Sequence, residues 1–198
     1  MSSDTFVYGI GDSLYINLTN RCSNACSFCI RSGETGIDGY DLWLTHEPDA
    51  KEVIAQIKDP GKYKEIVFCG YGEPMIRLDV MLEVAAWLKE HNARVRVNTN
   101  GQANLIHGYD VTPALKGKVD VISISLNAPD AKSYQQICKS RFGEAAFEAV
   151  IDFARRSKEY VPEVILSVVD VIGKEAVEKC RQIAASAGVN FRVRRMIN

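Results

Sequence analysis

Apolar residues in this chain fall into two alternating rhythms. Six short runs rich in β-branched and aromatic residues read as strands: Leu14 to Leu18 (LYINL), Glu65 to Cys69 (EIVFC), Arg94 to Asn98 (RVRVN), Val121 to Leu126 (VISISL), Val164 to Val169 (VILSVV) and Phe191 to Arg195 (FRVRR). Between them lie longer stretches with helical spacing. Leu78 to His91 puts Leu78, Met81, Leu82, Ala85 and Leu88 on one face, and Lys174 to Ala187 stops at Gly188, a residue suited to a left-handed cap. Glu47 to Lys58, with Pro48 in its first turn, and Glu144 to Lys158 have the same character. Strand followed by helix, repeated, predicts right-handed crossovers and a parallel sheet.

An open doubly wound sheet and a partly closed barrel both satisfy that order, and residue parity separates them. Ser123, Ser125 and Asn127 share one face of their strand, opposite Ile122, Ile124 and Leu126. Arg94, Arg96 and Asn98 oppose Val95 and Val97, and Arg192 and Arg194 oppose Val193. Helix-covered sheets are normally apolar on both faces. A polar face repeated on several strands therefore predicts an α/β fold of the split (β/α)6 barrel type, enclosing a hydrated cavity for a polar ligand. The chemistry of such a fold sits at the C-terminal ends of the strands.

Composition narrows the setting. The 198 residues, 46% hydrophobic and 25% charged, suit a single globular domain over residues 1–198, without repeats or low-complexity tracts. A formal net charge of −1 without long blocks of one sign gives no basis for nucleic-acid or membrane binding. The opening MSSDTFVYGIGDS lacks the basic and apolar regions of a secretion signal, so a cytoplasmic location is expected. In a reducing compartment the six cysteines read as ligands, reactive thiols or core residues rather than disulfides.

Three of them, Cys22, Cys26 and Cys29, fall within NRCSNACSFCIRSG, directly after the first strand. Spacings of four and three wind three thiolates around one centre, which suits soft metals, chiefly iron-sulfur clusters, with zinc and Cu(I) behind. A structural zinc site needs a fourth ligand, for which Cys69, His46 and His107 are weak candidates. A four-iron cluster held by three cysteines instead keeps one iron open to a substrate or cofactor.

This CxxxCxxC motif, with aromatic Phe28 before its last cysteine, resembles the signature of the radical S-adenosylmethionine (SAM) enzymes. CGYGEPM, Cys69 to Met75, is similar to that family's GGEP loop, with Tyr71 where many members have glycine. The resemblance assigns Gly70, Tyr71, Gly72, Glu73 and Pro74 to the methionine end of SAM, Glu73 and exposed backbone groups gripping its ammonium. NTNG, Asn98 to Gly101, and SLNAP, Ser125 to Pro129, resemble strand-end motifs that hold the ribose, which implicates Asn98, Asn100, Ser125 and Asn127. Asn100 also suits a turn before Gly101. The glycine-rich adenine motif is poorly matched in VVDVIGKE, so Ser167 and Val169 are adenine candidates by parity alone. The longer stretches YGIGDSLYINLTNRCSNACSFCIR, SRFGEAAFEAVIDF and GVNFRVR resemble the radical SAM proteins associated with TatD-family nucleases, which implies a genetic neighbourhood and no particular reaction.

The resemblance implies a [4Fe-4S] cluster and SAM as cofactors, and an electron donor such as flavodoxin or ferredoxin. It implies reductive cleavage of SAM to a 5′-deoxyadenosyl radical that takes hydrogen from a substrate. Small activating enzymes and 7-deazapurine synthases have the same minimal size, so the substrate class stays open, with a protein or other macromolecule among the expected substrates. Two further readings stand beside this one: a zinc-dependent structural or interaction module, and a SAM-binding regulator without turnover.

The remaining chemistry-bearing residues have plainer readings. Cys138 and Cys180 fall on apolar helix faces as core thiols without a neighbouring cysteine, and Cys69 is read as core beside the methionine loop, with a redox or substrate role as the alternative. His46, His91 and His107 are isolated, in solvated or capping roles. Arg192, Arg194 and Arg195 form a terminal basic cluster whose default is solvation, with an anionic group of substrate or cofactor as the alternative. Arg31 to Thr45, carrying Tyr40 and Trp43, is expected to serve as a partial lid or to pack on the barrel flank.

Overall fold

Seven strands form one sheet whose neighbours follow chain order from first to last. The structure, a computed structural model, describes residues 4–32 and 37–196. β1 (Val7–Ile10) and β2 (Ser13–Ile16) make an antiparallel hairpin, and β3 (Glu65–Phe68), β4 (Val95–Thr99), β5 (Val121–Ser125), β6 (Glu163–Val169) and β7 (Asn190–Arg194) follow β2 in parallel. Helices α1 (Ala50–Gln56), α2 (Leu78–Glu90), α3 (Ala103–His107), α4 (Ala131–Cys138), α5 (Ala145–Ser157) and α6 (Lys174–Ala187) lie in the crossovers. β1 and β7 pair with nothing beyond the sheet among the described residues, so the six parallel strands form the partial (β/α)6 barrel that parity indicates.

The apolar parity of the strands meets the helices. Ile66, Phe68, Val95, Val97, Ile122, Ile124, Leu166 and Val168 are buried in one cluster with Met81, Val84, Leu88, Val150, Phe153 and Ala184. Burying an aliphatic or aromatic side chain stabilises by roughly 1.5–3 kcal/mol, so this layer dominates the stability of the fold. Cys138 and Cys180 belong to it and are fully buried. No described helix is long and apolar enough to cross a membrane.

Four local expectations change. β1 is an additional strand, turned back by Gly11 at φ +60° beside Asp12, a two-residue loop whose left-handed position suits glycine. α1 starts at Ala50 rather than Glu47, because Asp49 caps it: the Asp49 side chain accepts from Glu52 N while the Glu52 side chain accepts from Asp49 N. Pro48 therefore precedes the cap instead of lying in the first turn. The short helix α3 is an addition, whereas α4 is the helix on whose apolar face Cys138 was placed, capped by Asp130, which accepts from Ser133 N. Arg94 precedes β4 and pairs at the surface with Glu163, so the inward polar residues of that strand are Arg96 and Asn98.

Candidate functional site

The cysteine loop leaves β2 at the C-terminal end of the barrel and is held from two sides. On one side α4 ends, and the last carbonyls of a helix have no partner within it. The Cys138 and Ile137 carbonyls accept from Ala25 N at 3.0 Å and Ser27 N at 2.9 Å, and Arg141 N donates to Ser23 O at 2.9 Å. On the other side stands the loop after β3. A Cβ on Gly72 would lie 2.2 Å from Thr19 O and 2.5 Å from Arg21 O, so glycine alone lets the two backbones meet. There Glu73 N donates to Arg21 O at 2.8 Å.

A buried polar chain closes the gap between these supports. Gln102 Nε2 donates to Asn24 Oδ1 at 2.8 Å and to Tyr134 Oη at 2.9 Å, and its Oε1 accepts from Ser140 Oγ at 3.0 Å. Asn100 uses its side chain twice: Oδ1 accepts from Gln102 N at 3.0 Å, shaping the turn, and Nδ2 donates to Ser23 Oγ at 2.8 Å. The turn-shaping role expected of it is thus present, and its amide also ties the turn to the cysteine loop.

Glu73 is buried, and its carboxylate is directed into the protein. Oε1 accepts from Met75 N at 3.1 Å and Thr99 Oγ1 at 2.7 Å, and Oε2 accepts from Asn100 N at 2.7 Å. Burial pushes its pKa up to about 7 against the pull of these donors.

Cys22, Cys26 and Cys29 face an open cavity of about 730 Å³, its mouth included, together with Asn24, Phe28, Asn100, Ser125, Asn127, Val169 and Arg194. Asn24 N and Arg31 Nε each approach a cysteine sulfur at 3.4 Å, at Cys22 and Cys29 respectively, and such donors favour a thiolate. Burial pushes the Cys22 thiol up to about 11, whereas Cys26 is drawn down by a bond from the Cys138 thiol beside it. Cys138 therefore does have a cysteine neighbour, brought there by the end of α4.

Two tests of fit come from the site itself. Among the described residues, no three His, Cys, Asp or Glu side chains are grouped closely enough to hold one metal ion. Three thiolates spread around a cavity suit a cluster in which each binds a different iron. Near the strand ends, Asn98 Oδ1 and Asn127 Oδ1 are buried without a hydrogen-bond partner. Unpaired carboxamide oxygens are acceptors for hydroxyl groups such as those of a ribose. Asn127 holds its position at φ +54°, which asparagine tolerates better than most residues.

Of the residues assigned from sequence, Cys22, Cys26, Cys29, Asn100, Ser125, Asn127 and Val169 meet at the cavity. Gly70, Tyr71, Gly72, Glu73, Pro74, Asn98 and Ser167 are not among its lining residues. Tyr71 packs in a small satellite core with Tyr8, Ile37 and Leu42, and Trp43 lies against it at 5.1 Å. The described part of the Arg31 to Thr45 stretch is tied to the barrel flank, as Asn17 Nδ2 donates to Leu42 O and Asn20 bonds both backbone groups of Leu44. Its residues 33–36 lie outside the described residues.

Sequence reasoning missed Asn24, Gln102 and Tyr134, and it gave solvation as the default for Arg194. Parity already placed Arg194 on the inward face. Gln102 and Tyr134 carried no signal, because they lie 78 and 110 residues from their shared partner Asn24 along the chain.

A sequence profile described as the Radical SAM superfamily matches residues 16–187. A probable GTP 3′,8-cyclase of Thermococcus kodakarensis is 26% identical over 156 residues, which is 79% of this chain and 47% of that protein. The chain spans about half the length of the curated relatives it matches. Among solved structures, TYW1 with a lysine-pyruvate adduct bound superposes with a TM-score of 0.68 at 15% identity, over 94% of this chain and 65% of that one. Streptococcus suis SuiB bound to S-adenosylmethionine gives 0.66 at 18% identity, over 93% of this chain and 38% of that one. At these identities the structural likeness is one of fold.

Proposed function

The chain belongs to the radical SAM superfamily, and from that premise we propose that it is an enzyme holding a [4Fe-4S] cluster through Cys22, Cys26 and Cys29 and cleaving SAM reductively. The observation that carries this reading is a single cavity lined by three cysteines and by the strand-end side chains Asn100, Ser125 and Asn127. When bound, the cluster supplies the electron that breaks the sulfur to C5′ bond of SAM, leaving methionine and a 5′-deoxyadenosyl radical for hydrogen abstraction.

The protein's own contribution is orientation. Asn127 Oδ1 and Asn98 Oδ1 accept from ribose hydroxyls, and Ser125 Oγ donates. Gly70, Tyr71, Gly72 and Pro74 present the backbone of the loop to the methionine end. Glu73 positions that loop by fastening it to Thr99 and Asn100. Phe28 and Ile30 give the cavity an apolar wall beside the cysteines, which limits water there. A flavodoxin or ferredoxin is the proposed electron donor, and a TatD-family nuclease the proposed genetic neighbour.

Anaerobic reconstitution tests the reading directly. About four irons per chain are expected, with loss of the cluster on replacing Cys22, Cys26 or Cys29 by Ala and retention in Cys180→Ala. Under a low-potential reductant the protein should form 5′-deoxyadenosine. Stoichiometric zinc with no iron uptake would return the zinc module, and a loaded cluster without 5′-deoxyadenosine would return the regulator.

A further inference from the structure

The inner face of the barrel carries more positive charge than the protein neutralises there. Arg96 of β4 is 12% exposed and pairs with Glu65 at 3.1 Å. Arg192 and Arg194 of β7 reach across β6 and donate from Nη2 to neutral hydroxyls, Ser123 Oγ at 3.0 Å and Ser125 Oγ at 3.2 Å. Among the described residues neither makes an ion pair, and Glu163, the acidic residue nearest in sequence on β6, is engaged with Arg94. In all three arginines Nε is buried with no hydrogen-bond partner.

One orphaned Nε is a packing accident, whereas three on one face form a column of unused donors. A partly buried guanidinium without a counter-charge is costly to keep and is relieved by an anion. Its planar array of N–H groups matches carboxylate and phosphate oxygens, and the serine hydroxyls hold the forks in place before anything binds. Arg194 lines the cavity of the three cysteines. Arg192 lies two residues back along β7, about 6.6 Å deeper, so the column runs from the cavity toward the barrel floor.

Resting on the SAM-enzyme reading above, we propose that Arg192 and Arg194, with Arg96 beneath them, bind a carboxylate or phosphate group of the substrate. The substrate is then an anionic molecule whose charged end lies inside the barrel and whose reacting carbon is held toward the cysteine cavity. The same chemistry suits the carboxylate of SAM, and the SAM-binding measurement below separates the two occupants.

The test uses the anaerobically reconstituted full chain, with inorganic phosphate and acetate as probes at constant ionic strength and thermal unfolding as readout. One or both anions should raise the wild-type midpoint saturably. Arg192→Gln, shown to be folded by circular dichroism, should need at least tenfold more anion for half the effect, and Arg192→Lys should fall between. SAM affinity, measured by equilibrium dialysis, should be unchanged in Arg192→Gln. No anion response in the wild type, or an equal response in Arg192→Gln, overturns the proposal. Parallel loss of SAM binding and anion response assigns the column to the SAM carboxylate and overturns the substrate assignment. Iron content and SAM binding on the same sample separate the two readings: iron and SAM bound without an anion response sinks this proposal alone. An anion response in a chain that takes up neither sinks the SAM-enzyme reading and leaves an anion site.

Discussion

Glu73 shows how a single buried residue braces the loop after β3 without lining the cavity. Its folded-state pKa of about 7 exceeds the ordinary 4.5 because burial outweighs three donors. The native state therefore holds the proton more tightly than the unfolded chain. Its stabilising contribution is complete below about pH 4.5 and is lost as pH rises through about 7, a change on the order of 3 kcal/mol. Glu73→Gln should remove this slope. It should also lower stability at pH 5 by about 1–3 kcal/mol, because an amide NH₂ would oppose the Asn100 N–H. Denaturant unfolding at pH 5 and pH 8 checks both effects, and an unchanged slope in the variant would assign the titration elsewhere. At this scale the meeting of the three cysteines with Asn100 and Asn127 at one cavity was legible, since residue type and local spacing place them at the same strand ends. The carboxylate's inward turn was not, because it depends on Thr99 and Asn100, which only the folded chain brings near.

At the scale of elements, periodicity carried most of the information. The six parallel strands and the long helices α2, α5 and α6 follow from apolar spacing, which burial against the barrel enforces. What spacing could not convey were β1, the short α3 and the start of α1. β1 is only four residues long, with one of them buried, so its pattern is weak, although Gly11 and Asp12 mark a hairpin turn. The junction between the cysteine loop and the loop after β3 rests on close backbone approach, and this yields a sharp contrast. Gly72→Ala should cost about 3 kcal/mol and reduce iron uptake, because the carbonyls it would strike are backbone and cannot rotate away. Gly9→Ala, with nothing within 4 Å of its added Cβ, should leave stability unchanged or raised by about 0.5–1 kcal/mol. Denaturant midpoints and iron analysis distinguish the two, and equal behaviour would mean that the loops do not depend on this contact.

For the whole molecule, parity decided the architecture: polar residues at every second position on β4, β5 and β7 predicted a polar inner face, and Arg96, Asn98, Ser123, Ser125, Arg192 and Arg194 occupy it. The apolar core lies on the other side of the same strands, between sheet and helices, and draws on the proposed cluster ligands only through Cys26 at its edge. Folding and cluster binding are thus separable. A structural zinc finger loses its fold with its metal, but here the cluster-free chain should keep its far-ultraviolet circular dichroism. The consequence of removal should be local, confined to the segment that the cluster would fasten and to its partners. Hydrogen exchange should quicken at residues 20–31 and 137–142, where Ala25, Ser27 and Ser23 bond the end of α4 and the following turn. It should stay slow in β5 and β6, whose amides pair within the sheet and lie under buried side chains. Cluster binding should still raise the unfolding midpoint by mass action, because it favours the native state alone. Exchange measured with and without a chelator under anaerobic conditions reads this pattern. Uniform acceleration across β5 and β6 on cluster removal would show that the metal organises the barrel itself, against a core that stands on its own.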